Sequence, residues 1–237
     1  MPISSCPPQN ALLASLPDDV MERLSPKLQR VQMSAGSVLF EPGVPMRGVY
    51  FLESAVVAMS FVLENGGSAE VALIGREGLV GVRLLLGEST LNVRASVQSA
   101  GSGLRLPAQS LLEEVGRGGA LMHVLLQYTA SYIGQIVQTA ACNRHGTVEQ
   151  RLCRWLLLSL DRVPSTELTM THEVIADALG VKREGITEAA GRLRRLGAIR
   201  YQRGHIEVLD RALLESRTGE FYQHDNGGPA RRAVGSN

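Results

Sequence analysis

The sequence predicts an α+β fold in three parts: an N-terminal antiparallel β-roll, a long helix and a C-terminal winged helix-turn-helix. Short apolar runs separated by turn residues follow one another from Val31 to about Leu106, a pattern typical of antiparallel strands. Apolar side chains then recur at helical spacing from Ala120 to Asn143. Between Thr147 and Leu209, the patterns of a helix, a glycine turn, a basic helix and a hairpin follow in that order.

The composition is that of an ordinary globular protein. Of the 237 residues, 44% are hydrophobic and 20% are charged, which permits a core and argues against wholesale disorder. The N-terminus lacks the basic and apolar regions of a signal peptide. No uncharged apolar stretch approaches the length of about 18 residues that a membrane span needs. We therefore expect a soluble, cytoplasmic protein with no membrane partner.

The formal net charge of +1 conceals a segregation of charge along the chain. Residues 1–142 carry 9 basic and 11 acidic side chains, whereas residues 143–217 carry 13 basic and 10 acidic ones. A basic excess indicates where a phosphate-facing surface would lie. The excess is small, and alone it favours an ordinary solvated surface over nucleic-acid binding.

The N-terminal part predicts short helices followed by some eight strands. Asn10 and Asp18 are good N-caps ahead of apolar residues at helical spacing. Short antiparallel strands at this spacing favour a roll or sandwich. The clearest strand candidates are Val38–Phe40, Val49–Leu52, Val56–Val62, Ala69–Ile74, Val93–Val97 and Leu104–Leu106.

The long helix carries apolar side chains on two sides. Leu121, Leu125 and Tyr128 form one flank. The helix could be a core element lying on its own sheet, or the flank could lie on the sheet while a seam pairs with a second copy. We prefer the second interpretation, a homodimer, because the seam residues recur at steps of three and four like the a and d positions of a coiled coil. They are Met122, Leu126, Thr129, Ile133, Ile136 and Ala140.

The C-terminal segment has the order of a winged helix-turn-helix. Thr147 and Gln150 have the spacing of a capping box that opens a helix. Two short helices then meet at Gly180, where glycine supplies the left-handed backbone of a tight turn. The second helix would present its first turns to the major groove. The candidate DNA-binding residues there are Lys182, Arg183, Glu184, Thr187 and Glu188.

Residues 199–209 alternate around an Arg-Gly turn, which predicts a hairpin wing. Arg200 and Arg203 on this wing are candidates for phosphate contacts, which fix register without reading sequence. Helix, glycine turn, basic helix and wing together predict a protein that binds double-stranded DNA. The alternatives are a helical hairpin with solvated arginines, or a ligand-binding module whose helix-turn-helix contacts protein.

Three stretches resemble the Crp/Fnr family of bacterial transcription regulators: Cys142–Leu157, Ile175–Glu184 and Gly197–Gly204. The resemblance implies a cyclic-nucleotide-binding-like β-roll sensor domain at 1–118, a dimerisation helix at 119–144 and a winged helix-turn-helix DNA-binding domain at 145–217. Residues 218–237 are expected to form a disordered tail. The resemblance also implies a homodimeric transcription regulator that contacts RNA polymerase.

The resemblance assigns roles to particular residues of the recognition helix. Arg183 and Glu184 match a pair that reads a G·C step in the family. Glu188 stands where the family's type member has an arginine. The DNA site of this chain should therefore differ from that protein's site at the corresponding base.

The effector site implied by the resemblance is degenerate in this chain. Cyclic-nucleotide binders of the family hold the ligand with a short Gly-Glu-containing helix and an Arg-Ser/Thr-Ala segment. Gly78–Gly81 lies where that short helix would begin, but the Gly-Glu order is absent there. Ser96 is displaced by one residue, which turns its side chain to the opposite face of a strand. A cyclic nucleotide is possible, but the effector is unknown. The candidate effector-binding residues are Gly78, Leu79, Val80, Gly81, Arg94 and Ser96.

Other chemistry finds little support in the sequence. Only Cys6 lies near the N-terminus, so we expect no iron–sulfur cluster and no metal site. Cys142 and Cys153 are expected to be buried, inert thiols. No phosphate-binding Gly-Lys-Ser/Thr loop, nucleophile elbow or zinc-protease helix occurs. The sequence therefore does not predict an enzyme.

Overall fold

The computed structural model of the chain describes residues 8–222, apart from residues 65, 91, 164 and 203. These residues divide into two compact units, one containing 8–59 and 74–134 and the other 60–73 and 135–222. The predicted α+β fold class is confirmed. No helix among the described residues is long and apolar enough to cross a membrane.

The first half of the chain forms two four-stranded sheets with the orders β1-β8-β3-β6 and β2-β7-β4-β5. Strand β8 pairs antiparallel with both β1 and β3, which places it inside its sheet. The sequence did not predict the two-residue strand β6, which pairs with β3. The strands are β1 (Gln29–Met33), β2 (Val38–Phe40), β3 (Gly48–Leu52), β4 (Val56–Val62), β5 (Ser68–Ile74), β6 (Leu79–Val80), β7 (Arg94–Ser99) and β8 (Gly101–Pro107).

Short helices flank these sheets. Helices α1 (Ala11–Ala14) and α2 (Asp18–Leu24) precede the strands, a 3-10 helix (Val82–Leu86) follows β6, and α3 (Ala108–Val115) follows β8. The N-cap of α2 is Pro17, which makes no side-chain capping bond. The predicted capping role of Asp18 is therefore wrong, because Asp18 is already inside the first turn.

The side chain of Asn10 ties α1 to the roll from a fully buried position. Its Oδ1 accepts hydrogen bonds from the backbone N–H groups of Leu12 (3.1 Å) and Leu13 (3.2 Å), which confirms the predicted N-cap. Its amide nitrogen donates to the carbonyl oxygens of Leu52 and Gly78, both at 2.8 Å. The Asn10 side chain thus pairs with backbone N–H groups of α1 and with carbonyl groups of the roll that are distant from it in sequence.

The long helix α4 (Ala120–His145) has 26 residues. Leu121 and Leu125 are buried, as expected for the flank that packs on the roll. On another side, Leu126, Ile133 and Val137 are 45%, 55% and 61% exposed. An apolar stripe this open is typical of a surface that a second chain covers.

Two residues of α4 differ from the predicted seam. Thr129 is buried within the chain, and its hydroxyl donates to the carbonyl oxygen of Leu125 at 2.7 Å. Val137, which the predicted seam omitted, is the most exposed of the large apolar residues of α4. The exposed residues Leu126, Ile133 and Val137 are therefore separated by steps of seven and four, which is close to the 3.6-residue repeat of a straight helix. The predicted seam alternated steps of three and four.

Two residues separate the end of α4 from helix α5 (Val148–Leu160). The predicted capping box is confirmed: Thr147 Oγ1 accepts from the Gln150 N–H (3.2 Å), and Gln150 Oε1 accepts from the Thr147 N–H (2.9 Å). In the connection, a Cβ at Gly146 would lie 2.7 Å from the carbonyl oxygen of Cys142. Only glycine fits there without displacing the end of α4.

The rest of the second unit forms a helix-turn-helix, a small sheet and a terminal helix. The elements are β9 (Glu167–Thr169), α6 (His172–Leu179), α7 (Arg183–Arg195), β10 (Ile199–Gln202), β11 (His205–Val208) and α8 (Arg211–Thr218). The sheet order is β10-β11-β9, with antiparallel pairs. Helix α5 supplies much of the core, including the fully buried Cys153, Leu156 and Leu157.

The expected disordered tail begins with ordered residues. Thr218 ends α8, and residues 219–221 form a 3-10 helix. The Tyr222 hydroxyl donates to Asp161 (2.8 Å) and accepts from Arg211 (2.7 Å). Residues 223–237 lie outside the described residues.

Replacing Asn10 with Ala should destabilise the protein by about 2–4 kcal/mol, because it removes the N-cap of α1 and leaves buried carbonyl groups unpaired. Urea unfolding measures the difference. The exposed neighbour Gln9 provides the control, and Gln9→Ala should change the free energy of unfolding by less than about 0.5 kcal/mol. Equal stabilities for both variants would contradict the structural role of Asn10.

Candidate nucleic-acid interface

The turn between α6 and α7 fixes the direction of α7. Gly180 caps α6 with φ +62°, in the left-handed region, which a residue with a Cβ adopts only at a cost. Helix α7 follows after Lys182 at its N-cap. The predicted turn and the predicted start of the recognition helix are therefore confirmed.

Helix α7 buries one face and exposes the other. Ile186, Ala189, Ala190 and Leu193 are buried in the shared core. Because the helical repeat is 3.6 residues, burial of this stripe turns the remaining positions outward. The exposed positions include every predicted DNA-binding residue of the helix: Lys182, Arg183, Glu184, Thr187 and Glu188.

Charges near the C-terminal half of α7 form a network with α5 and α8. Arg192 Nε donates to Glu149 (2.7 Å), and Arg192 Nη1 donates to Glu188 (2.7 Å). Glu149 also pairs with Arg217 at 3.2 Å. The hydrogen bond to Glu149 raises the pKa of Arg192 above its ordinary value. This network anchors α7 to α5 and gives Glu188 a cationic partner on its own helix.

The first turn of α7 contrasts with this network. Within the described part of the chain, no ion pair involves Lys182, Arg183 or Glu184. The guanidinium of Arg183 is therefore exposed and not engaged by a carboxylate. It lies at the N-terminal end of α7, and the macrodipole of a helix favours anions at that end.

The wing is the hairpin of β10 and β11, as predicted. Arg200 on β10 forms an ion pair with Glu207, which lies directly opposite on β11. This pair partly neutralises the positive charge of the wing. Arg203, the other predicted wing residue, lies outside the described residues.

Sequence reasoning missed a group of residues between α6, α7 and the wing. A groove of about 530 Å³ lies there, lined by the predicted Arg183 and Thr187 and also by His172, Arg194 and Tyr201. The His172 ring stacks on Tyr201 with centroids 4.1 Å apart. These residues have no characteristic spacing in the sequence, because they meet only when the wing folds back onto the two helices.

The predicted effector-binding residues 78–81 are closely packed in the roll. Leu79 and Val80 are fully buried in β6. A Cβ at Gly78 would lie 2.8 Å from the Tyr128 hydroxyl, which donates to the carbonyl oxygen of Leu79. Gly81, with φ +101°, precedes the 3-10 helix. Residues 78–81 therefore have a structural role in the packing of β6 and the 3-10 helix that follows it.

Arg94 and Ser96 lie on β7, and the Arg94 guanidinium is already paired. Its Nε donates to Glu41 Oε2 at 2.9 Å. The 3-10 helix after Gly81 opens with buried, apolar Val82 in place of a carboxylate. A cyclic phosphate at Arg94 would compete with Glu41, and Val82 stands where the family resemblance implies the glutamate that holds the ribose.

The two described cysteines are buried, as expected. Burial raises the pKa of the Cys153 thiol to about 12, and the nearby Glu149 acts in the same direction. Burial also raises the pKa of the Cys142 thiol. Since the thiolate is the reactive form, neither thiol is activated at neutral pH. Cys6 lies outside the described residues.

The fold and this interface define the class of the protein: a winged helix-turn-helix joined to a roll of the cyclic-nucleotide-binding type. A sequence profile described as "Crp-like helix-turn-helix domain" matches residues 150–217, and one described as "Cyclic nucleotide-binding domain" matches residues 30–117.

Relatives of known name agree with this class. The chain is 28% identical over 199 residues to the global nitrogen regulator of Synechococcus elongatus, covering 80% of this chain and 90% of the relative. It is 30% identical over 132 residues to the transcriptional regulator LdrP of Thermus thermophilus, covering 50% of this chain and 68% of LdrP. The crystal structure of a CRP/FNR-family transcriptional regulator from Thermus thermophilus superimposes with a TM-score of 0.64 at 25% identity, covering 80% and 98% of the two chains. The chain belongs to the Crp/Fnr family of transcription regulators, and it is a DNA-binding regulator with a sensor domain.

Adding cyclic AMP to the wild-type protein should give no saturable heat in calorimetry and no rise in Tm, because Arg94 is paired with Glu41. In the variant Glu41→Gln, the freed guanidinium should gain weak affinity for inorganic phosphate, seen as a rise in Tm with phosphate concentration. Saturable binding of cyclic AMP to the wild type at micromolar concentration would overturn the prediction.

Proposed function

We propose that the protein is a homodimer that reads a specific DNA sequence with α7 and responds to an effector through its roll. The observation that carries the proposal is the state of Arg183: it is exposed, lies at the start of the helix after the turn, and has no ion-pair partner among the described residues. The guanidinium of Arg183 is therefore available to a hydrogen-bond acceptor on another molecule.

The chemistry of the first turns of α7 suits a G·C step. The guanidinium of Arg183 matches the O6 and N7 acceptors of guanine, and the Glu184 carboxylate can accept from the cytosine amino group. Lys182 would contact a neighbouring base or phosphate, and Thr187 a neighbouring base. Glu188, held by Arg192 at 2.7 Å, would set the preference at a further base by repelling phosphate and accepting from an amino group.

The wing would contribute phosphate contacts rather than sequence reading. Arg200 would have to exchange its partner Glu207 for a phosphate, so its contribution would be smaller than that of a free arginine. Arg203 stays a candidate for such a contact from the sequence alone. The groove arginine Arg194 adds a further cation beside α7.

The exposed stripe of α4 supports the homodimer. Leu126, Ile133 and Val137 follow one another at helical spacing and are each about half exposed. Pairing two such stripes would bury them and would repeat the recognition helix about a two-fold axis. Two recognition helices would then enter successive major grooves about 34 Å apart on a pseudo-palindrome.

The roll would supply the regulation. An effector bound there would shift the dimer between arrangements with different DNA affinity, with a coupling free energy of about 1–3 kcal/mol. RNA polymerase is the proposed protein partner on promoters, and the cytoplasm the proposed location, both on the strength of the family membership.

Selection of bound duplexes from random DNA, followed by gel shifts across a salt series, tests the proposal. We expect an enriched pseudo-palindrome and an affinity that falls steeply with salt, because phosphate contacts release counterions. A helix-turn-helix used for protein contact would give no enriched sequence and a shallow salt dependence.

Replacing Arg183 with Ala should weaken binding to the selected duplex roughly 5–150-fold and leave binding to unrelated DNA nearly unchanged, because only a base contact is lost. Fluorescence anisotropy on both duplexes measures the two affinities. The control Arg47→Ala removes the same charge from an exposed position of the roll and should change neither. Equal losses on both duplexes would show that Arg183 only contributes charge.

Replacing Ile133 with Glu should shift the protein towards monomers and reduce DNA affinity more than about tenfold, because it puts a charge into the apolar stripe of α4. Analytical ultracentrifugation measures the dissociation constant of the dimer. Ser131→Glu places the same charge on another exposed side of the helix and should leave the dimer intact. A dimer unaffected by Ile133→Glu would place the interface elsewhere.

A further inference from the structure

The imidazole of His172 contacts all three elements of the DNA-reading surface. His172 is the first residue of α6, after the N-cap Thr171. Its Nδ1 lies 3.0 Å from Thr187 Oγ1 on α7. Its ring stacks on Tyr201 of β10 with an angle of 20° between the ring planes. One half-buried side chain therefore joins the helix before the turn, the recognition helix and the wing.

The hydrogen bonds around Thr187 define the form of the imidazole. The Thr187 hydroxyl donates its single hydrogen to the carbonyl oxygen of Arg183, one turn earlier, at 3.1 Å. Thr187 Oγ1 is therefore left as an acceptor towards His172, and Nδ1 carries the hydrogen of the neutral ring. This chain of two bonds connects His172 to the backbone of Arg183.

The second ring nitrogen, Nε2, is buried and has no hydrogen-bond partner within the described part of the chain. In the neutral ring it carries only a lone pair. Protonation would create a buried N–H without an acceptor and a positive charge close to Arg183, so burial and Arg183 lower the pKa of His172 below its ordinary value.

The charged and titratable groups around the imidazole come from each packed element. Arg183 and Arg194 line the groove from α7, Glu173 lines it from α6, and Tyr201 lines it from β10. Arg183 opposes protonation, while Glu173 is exposed and screened by solvent. The surroundings thus favour the neutral ring.

We propose that His172 is a positioning residue for DNA reading, which holds the recognition helix and the wing in one arrangement only while its ring is neutral. The proposal rests on the proposed function, since it concerns the placement of Arg183 and the wing on DNA. His172 acts through Thr187 and Tyr201 and needs no DNA contact of its own. Acidification of the protein would therefore loosen the reading surface.

Two variants separate the two contacts of the ring. His172→Asn keeps a donor near the position of Nδ1 but does not titrate, and His172→Phe keeps the stacking on Tyr201 but loses the hydrogen bond. At pH 7.5, His172→Phe should weaken binding to the selected duplex about 3–10-fold, the usual effect of one lost hydrogen bond. His172→Asn should recover part of this loss.

The pH dependence provides the readout that a merely structural role would not move. Between pH 7.5 and pH 5.5, the wild type should lose more affinity for the selected duplex than His172→Asn does, because only the wild type has a ring to protonate. The difference should stay below about tenfold, because the pKa of the ring lies below its ordinary value. Identical pH profiles for the two proteins would overturn the proposal, even if both bind DNA.

A stability measurement tests the proposal without DNA. The unfolded chain takes up a proton on His172 near pH 6.5, while the folded chain resists it, so the contribution to stability is present above that pH and is lost as the pH falls. The wild type should therefore lose more Tm than His172→Asn on acidification to pH 5.5. Equal losses would contradict the proposal. A greater loss of Tm in the wild type together with no enriched DNA site would show that the proposed function, and not the role of His172 in holding α7 and the wing, had failed.

Discussion

The burial of one apolar stripe on α7 is the constraint on which the proposed DNA-reading surface depends. Ile186 and Leu193 are fully buried, and they lie two turns apart on the same side of the helix. Any rotation of α7 about its axis would expose them to water, at a cost of about 1.5–3 kcal/mol for each side chain. The core thus sets the direction of Arg183, and the polar contacts around the helix refine an orientation that hydrophobic burial has already selected.

Features determined by neighbours in sequence were predictable. The capping box at Thr147, the glycine turn at Gly180, the length of α4 and the hairpin wing follow from local chemistry and from periodicity, and the structure has them where they were expected. Strand β6 was not predictable, because its two residues have no pattern of their own and are extended only through pairing with β3.

The part of the site that sequence reasoning missed depends on contacts between distant residues. His172 and Tyr201 are 29 positions apart, and Arg94 meets Glu41 across 53 positions. The residue types alone do not indicate that His172 contacts Tyr201 or that Arg94 contacts Glu41. The resemblance to the family predicted where an effector arginine should be, but only the folded chain shows that this arginine forms an ion pair with a carboxylate of the same protein.

The connection between α4 and α5 limits how this protein can diverge. Gly146 fits against the Cys142 carbonyl only because it has no side chain. A residue with a side chain at position 146 would therefore change the course of the chain from α4 into α5. The way the two helices follow one another thus makes glycine obligatory at this position.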